Sequence, residues 1–132
     1  MSLETDLRTY LLADAGISAL VGTRAGPEPL AQNSPLPAIT YRRIDTQRGM
    51  TLGGPEALQR PYMVLTSWAV MLIDARDLAD KIRHRLTGFA GVMGSTTIQV
   101  IFPRDDRDGY EPEVPAHFTD LDFEIWAEEA LS

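Results

Sequence analysis

The chain has 132 residues, 44% hydrophobic and 23% charged, the make-up of one globular domain long enough for a real core. A net charge of −7 argues against a dedicated nucleic-acid grip, and the lack of cysteine excludes disulfides and thiolate chemistry. No apolar run approaches the ~18 residues of a membrane span, and the acidic, polar opening MSLETDLRTY is unlike a signal peptide.

Ser2 to Ala15 reads as a helix. Leu3, Leu7, Leu11 and Leu12 make its stripe, Ser2 can cap it and Gly16 can end it, with one more short turn over Ile17 to Val21. Thr23 to Pro37 holds four prolines, which forbid a helix and predict an ordered, extended connection. Ala38 to Arg48 alternates as a first strand, Ile39 and Tyr41 on one face, Thr40 and Arg42 on the other. Gly49 to Ala57 is a loop with Gly53-Gly54-Pro55 at its centre. Leu58 to Val70 is the second strand, with an edge or a bulge expected at Pro61.

A change of period follows. Ala75, Leu78, Ala79, Ile82 and Leu86 form one helical stripe, and Arg76, Asp77, Asp80, Lys81, Arg83, His84 and Arg85 form the opposite face. Asp74 is placed to cap this helix and Gly88 to follow its end. Thr96 to Phe102 is a third strand, with Ile98, Val100 and Phe102 on one face. Pro103 to Pro115 is a long charged loop. Phe118 to Ala127 is the clearest strand: Thr119, Leu121, Phe123 and Ile125 point one way, Asp120, Asp122 and Glu124 the other. The fold class expected is α+β, over residues 1–132 as one domain. It is a two-layer sandwich in the order α-β-β-α-β-β, a mainly antiparallel four-stranded sheet with two helices on its apolar face.

Charge is polarised along the chain. From Asp105 onward there are ten acidic residues and one basic, Arg107; from Thr40 to Ala90 there are eight basic and five acidic. Two solvated faces would account for this, as would a subunit whose acidic patch meets a neighbour's basic one.

Motifs for chemistry are absent. Asp105, Asp106 and Asp108 sit among water-loving neighbours, not in a recognisable acid–base pair. DDRDG fails as a calcium loop, because Gly109 at the sixth position would put Arg104 first and Pro115 twelfth. His84 near Asp80 and His117 near Asp120 each supply two ligands where a site needs three or four, so no metal is expected. There is no GxSxG elbow, no P-loop and no dinucleotide motif, so neither an enzyme nor a bound cofactor is expected. Trp126 and Phe118 share the polar face of the last strand, which marks either a contact surface or packing under a loop.

Four local patterns together resemble one family, the phage tail-completion or tail-terminator proteins of the head–tail junction. They are LLADAGISALVG; PLPAITYRRID followed by TLGGP; SWAVMLIDARDLADKIRHRLTGF; and IQVIF, RDGYEPE and TDLDFEIW in that order. The family occurs in phages, prophages and gene transfer agents and has no catalytic residues to carry over. The resemblance implies a structural protein that closes the finished tail tube as a ring, commonly a hexamer. Its partners would be copies of itself, the tail-tube protein and the head connector, with DNA passing through unbound. It would be assembled in the host cytoplasm, with no membrane involved. The runner-up is a head–tail connector adaptor; the alternative from another class is a small enzyme or regulator with an unrecognised pocket. The loops Gly49 to Ala57 and Pro103 to Pro115 are the expected docking surfaces. Arg42, Arg43 and Arg48 are the interface candidates on one side, and Tyr110, Glu111 and Trp126 on the other.

Overall fold

The computed structural model describes residues 3–48, 59–94 and 96–128. Helix α1 spans Leu3–Leu12 and α2 spans Ala15–Val21. The first helix ends before the expected Ala15, and the short turn expected over Ile17 to Val21 is a second helix: the Asp14 carboxylate accepts a hydrogen bond from Ile17 N at 3.0 Å and caps it, leaving Gly16 inside α2 and not at a helix end. Asp14→Ala is expected to cost about 1 kcal/mol in chemical unfolding, the usual worth of such a cap. Gly22 ends α2.

Strands β1 (Ala25–Pro27) and β2 (Ala38–Arg48) pair in parallel. β3 (Gln59–Ala69) returns antiparallel to β2 and leads into α3 (Leu72–Leu86). β4 (Gly91–Met93), β5 (Thr96–Glu111) and β6 (Ala116–Glu128) complete one sheet in the order β1-β2-β3-β6-β5-β4. The expected mainly antiparallel four-stranded sheet with two helices is therefore wrong. Among the described residues the sheet is six-stranded, mixed and curled into a half-barrel, with three helices. β1 and β4 are three residues each, too short to leave a periodic trace, and α2 reads from sequence only as a short turn over Ile17 to Val21.

The core lies between the helices and one sheet face. Leu3, Leu7 and Leu11 from α1 share one core with Leu78, Ile82 and Leu86 from α3. Beneath them lie Ile39 and Tyr41 of β2, Met63 and Leu65 of β3, and Leu121, Phe123 and Ile125 of β6. Each large side chain buried here contributes about 1.5–3 kcal/mol, offsetting the entropy of ordering the chain. The alternation expected for the first and last strands is present: Thr119, Leu121, Phe123 and Ile125 are all buried on the helix side. α3 starts one turn earlier than expected, with Met71 at the N-cap and Asp74 in the first turn; Gly88, with φ of +77°, follows its end as expected.

Pro103 to Pro115 is not a loop. Residues 103–111 belong to β5 and run antiparallel to β6, Arg107 opposite Asp120 and Glu111 opposite Ala116. The run is charged because β4 covers only Thr96 to Ile98, leaving the rest of β5 as an edge strand. Proline, a register shift between Pro103 and Asp106, and alternating charges are how such an edge avoids sticking to other strands. A second shift between Ile98 and Val100 moves the alternation by one residue. Ile98 and Ile101 therefore enter the core, while Phe102 is exposed on the opposite face, contrary to the expected Ile98-Val100-Phe102 row. Near Pro61 the irregularity falls in the partner strand, between Arg43 and Asp45.

Candidate interaction surfaces

The face of the sheet away from the helices is only partly wet. At one end, Trp68, Val114 and Ala116 form a small second core with Leu30, Leu36 and Phe118, brought there by the proline-rich connection. Trp68 Nε1 donates to Thr40 Oγ1 at 2.9 Å, and the Phe118 ring lies over Gly109, where any side chain would collide with it. So Phe118 packs under a neighbouring segment.

Across the middle of this face runs a charged strip. Arg42 pairs with Glu28 at 2.9 Å, and Thr66 Oγ1 donates to Asp120 at 2.6 Å. Arg107 holds Asp122 through two hydrogen bonds of 3.0 and 3.1 Å and lies 3.8 Å from Asp120. The strip ends on Glu124, which is 7% exposed, not solvated as its place on a polar face suggested. Tyr62 Oη donates to Glu124 Oε1 at 2.9 Å, Arg104 to the same oxygen at 2.6 Å, and Trp126 Nε1 to Oε2. These three donors hold the Glu124 carboxyl down at about 2, led by the Arg104 hydrogen bond, and the same carboxylate pushes the Tyr62 hydroxyl up.

On the helix side, Arg76 and Arg83 of α3 reach Asp108 and Asp106 of β5. They tie the free part of β5 down onto the helix. Part of the chain's polarised charge is thus matched within the subunit.

The six interface candidates do not form two patches. Arg42 and Arg43 are consecutive on β2 and point to opposite faces. Arg42 is exposed beside Glu28, while Arg43 turns toward α1 and pairs with Glu4 at 2.5 Å. Arg48 lies at the far end of β2, opposite Gln59. Tyr110 is half-exposed and packs on His117, ring centres 4.8 Å apart, and the Glu111 carboxylate accepts the Glu113 N–H. Trp126 is nine residues further along β6 than His117, about 30 Å at the rise of a strand. It packs edge-on against Phe102 with ring centres 6.1 Å apart. The loop Gly49 to Ala57 lies outside the described residues.

The largest apolar exposure was not foreseen. Val70, Met71, Leu72 and Ile73, running from the end of β3 into the first turn of α3, are 73%, 58%, 37% and 72% exposed. Read from sequence they continue a buried run, since nothing in their type shows where the sheet stops. Phe102 and Val92 are exposed toward the other end. Among the described residues there is no cluster of three metal-ligating side chains, and no helix is long and apolar enough to cross a membrane. His84 and Asp80 line an open hollow with Asp14 and Arg85.

Comparison with known proteins adds to this geometry. The family described as tail completion protein gp17 matches residues 5–128. Among solved structures, a chain from a structure described as the virion of native gene transfer agent particle is 19% identical, with a TM-score of 0.79 over 97% of this chain and 96% of that one. At that identity the likeness establishes a shared fold. No curated protein matches the sequence.

Proposed function

The chain belongs to the tail completion protein gp17 family, and from that membership we propose that it closes the finished tail tube of a phage or phage-like particle as a ring at the head–tail junction. The observation that carries this reading is the match over residues 5–128, nearly the whole chain, joined to a fold shared with a chain of a virion structure. A closed ring needs two unlike patches on each subunit, joined head to tail. The exposed apolar stretch Val70–Ile73 and the Phe102–Trp126 pair, at different ends of the sheet, support this reading.

In this reading the protein works by contact and not by chemistry. Its partners are copies of itself, six in the simplest case, with the tube protein below and the head connector above. DNA passes through the hole, and an acidic subunit does not retain phosphates. Assembly takes place in the host cytoplasm.

Electron microscopy of particles lacking the protein tests this directly. Tails without a terminator are expected to lose their cap and vary in length, and purified protein should cap tails that have no heads. Protein that stays on tailless heads would show the adaptor role instead. Arg42 and Arg43 give a finer test. Arg42→Glu is expected to weaken assembly while changing monomer stability by no more than about 1 kcal/mol, since its pair with Glu28 is exposed. Arg43→Glu would face Glu4 and lower stability by about 1–2 kcal/mol, seen in thermal unfolding.

A further inference from the structure

We propose that the hollow between the proline-rich connection and the β5–β6 turn receives an arginine side chain from a different protein. The neighbour's place at the junction rests on the ring reading above; the site itself stands on geometry alone.

The hollow measures about 350 Å³. Glu28, Pro29, Leu30 and Gln32 line it from the connection, Glu111, Glu113 and Val114 from the turn, and Trp68 from β3. Trp68 and Val114 are almost fully buried and form its floor, while the three glutamates are more exposed and stand around its rim. The walls are tied together, because Asn33 N donates to Val114 O at 2.9 Å. Trp68 is fixed by its bond to Thr40 and by the Phe118 ring, ring centres 5.3 Å apart. A hollow already shaped in this way costs little to fill.

No basic residue lines it. Glu28 has a partner: Arg42 at 2.9 Å, with a longer bond of 3.4 Å from Thr66. Glu111 and Glu113 have no ion pair among the described residues, and the Glu111 carboxylate takes only the Glu113 backbone N–H. Two carboxylates at the mouth thus lack a cation. An anion would be repelled there. An uncharged apolar side chain could cover Trp68 but would desolvate the carboxylates and offer them nothing. A metal ion needs its ligands gathered on one point, and among the described residues no three such groups are. A guanidinium satisfies the whole set: it is flat, stacks on aromatic rings, and spreads five N–H donors toward carboxylates that stand apart. A lysine ammonium is a compact, more strongly hydrated charge. A second copy of the chain is a poor source, because every arginine whose side chain is described already has a partner inside its own subunit. The arginine therefore comes from another protein.

Nuclear magnetic resonance on the chain alone tests the hollow, with N-acetyl-arginine amide as the probe. The Trp68 indole N–H should move and saturate at millimolar probe while Trp126 stays in place. N-acetyl-citrulline amide, similar in shape but uncharged, should leave Trp68 unmoved, and N-acetyl-lysine amide should bind more weakly than the arginine probe. Glu111→Gln with Glu113→Gln should weaken arginine binding about fivefold with the rest of the spectrum unchanged, since both groups lie at the surface and glutamine keeps the acceptor at position 111. A still Trp68, an equal response to the citrulline or lysine probe, or equal affinity in the double variant would each overturn the proposal. In assembly, the double variant should associate with itself as the unaltered chain does and lose attachment to one neighbour at the junction. Weakened self-association would make the donor a second copy and overturn the proposal, as would attachment to every neighbour at full strength. An unaltered chain that forms neither rings nor tail caps would sink the ring reading, while the titration still decides the hollow.

Discussion

Gly94→Ala is expected to destabilise the fold by about 2–4 kcal/mol, several times the effect of the same change at Gly88. Both glycines have positive φ, +60° and +77°, so either alanine brings backbone strain of about 1 kcal/mol. Their surroundings differ. A methyl group at Gly88 meets nothing within 4 Å, whereas at Gly94 it would stand 2.2 Å from Asp6 Oδ1 and 2.6 Å from its carbon. Asp6 cannot swing away cheaply. It is 2% exposed on α1 and accepts a hydrogen bond from Thr96 Oγ1 at 2.7 Å. Displacing it strands a buried carboxylate and a buried hydroxyl together. This is the link between the first helix and the start of β5, ninety residues apart in sequence. Urea unfolding of both variants measures it. Equal costs would mean that the carboxylate moves aside freely. In an Asp6→Ala background, itself destabilised, the excess at position 94 should vanish.

What could be read from the chain follows from how local each signal is. β2 and β6 are legible because one face is buried along much of their length, so their side chains alternate in type. α3 is legible for the same reason at a period of 3.6. β5 breaks the rule in three ways. It is an edge strand, it contains Pro103, and its two register shifts move the alternation out of phase, so a sixteen-residue strand looks like a short strand and a loop. That Gly94 lies against a carboxylate of α1 is a long-range fact no local pattern carries.

The candidate surfaces divide likewise. Trp126 stands out because it is apolar on a polar face, a one-residue signal. The paired charges do not stand out, because pairing needs register: Arg104 meets Glu124 and Arg107 meets Asp122 only once β5 lies beside β6. A charge imbalance between two parts of the sequence suggested patches for a neighbour. Arg76 with Asp108 and Arg83 with Asp106 cancel part of it within the subunit.

Glu124→Gln is expected to cost about 1–3 kcal/mol near neutral pH, with the difference from the natural protein fading in acid. The carboxylate is the one acceptor shared by Tyr62, Arg104 and Trp126, donors from three different strands. Glutamine keeps an oxygen for one or two of them but loses the charge that Arg104 needs. Because the Glu124 carboxyl sits at about 2 in the folded chain against an ordinary 4.5, its contribution is complete above 4.5. It declines as pH falls from 4.5 and is gone below about 2. Thermal unfolding of both proteins between pH 7 and pH 2 should show the two curves converging in that window. A gap that stayed constant would mean that the carboxylate's charge contributes nothing and only its shape matters. The indole N–H signals separate the site from global effects, since the chain has two tryptophans. Trp126 donates to Glu124 and should shift with the carboxyl, while Trp68, bonded to Thr40, should stay in place until the fold is lost.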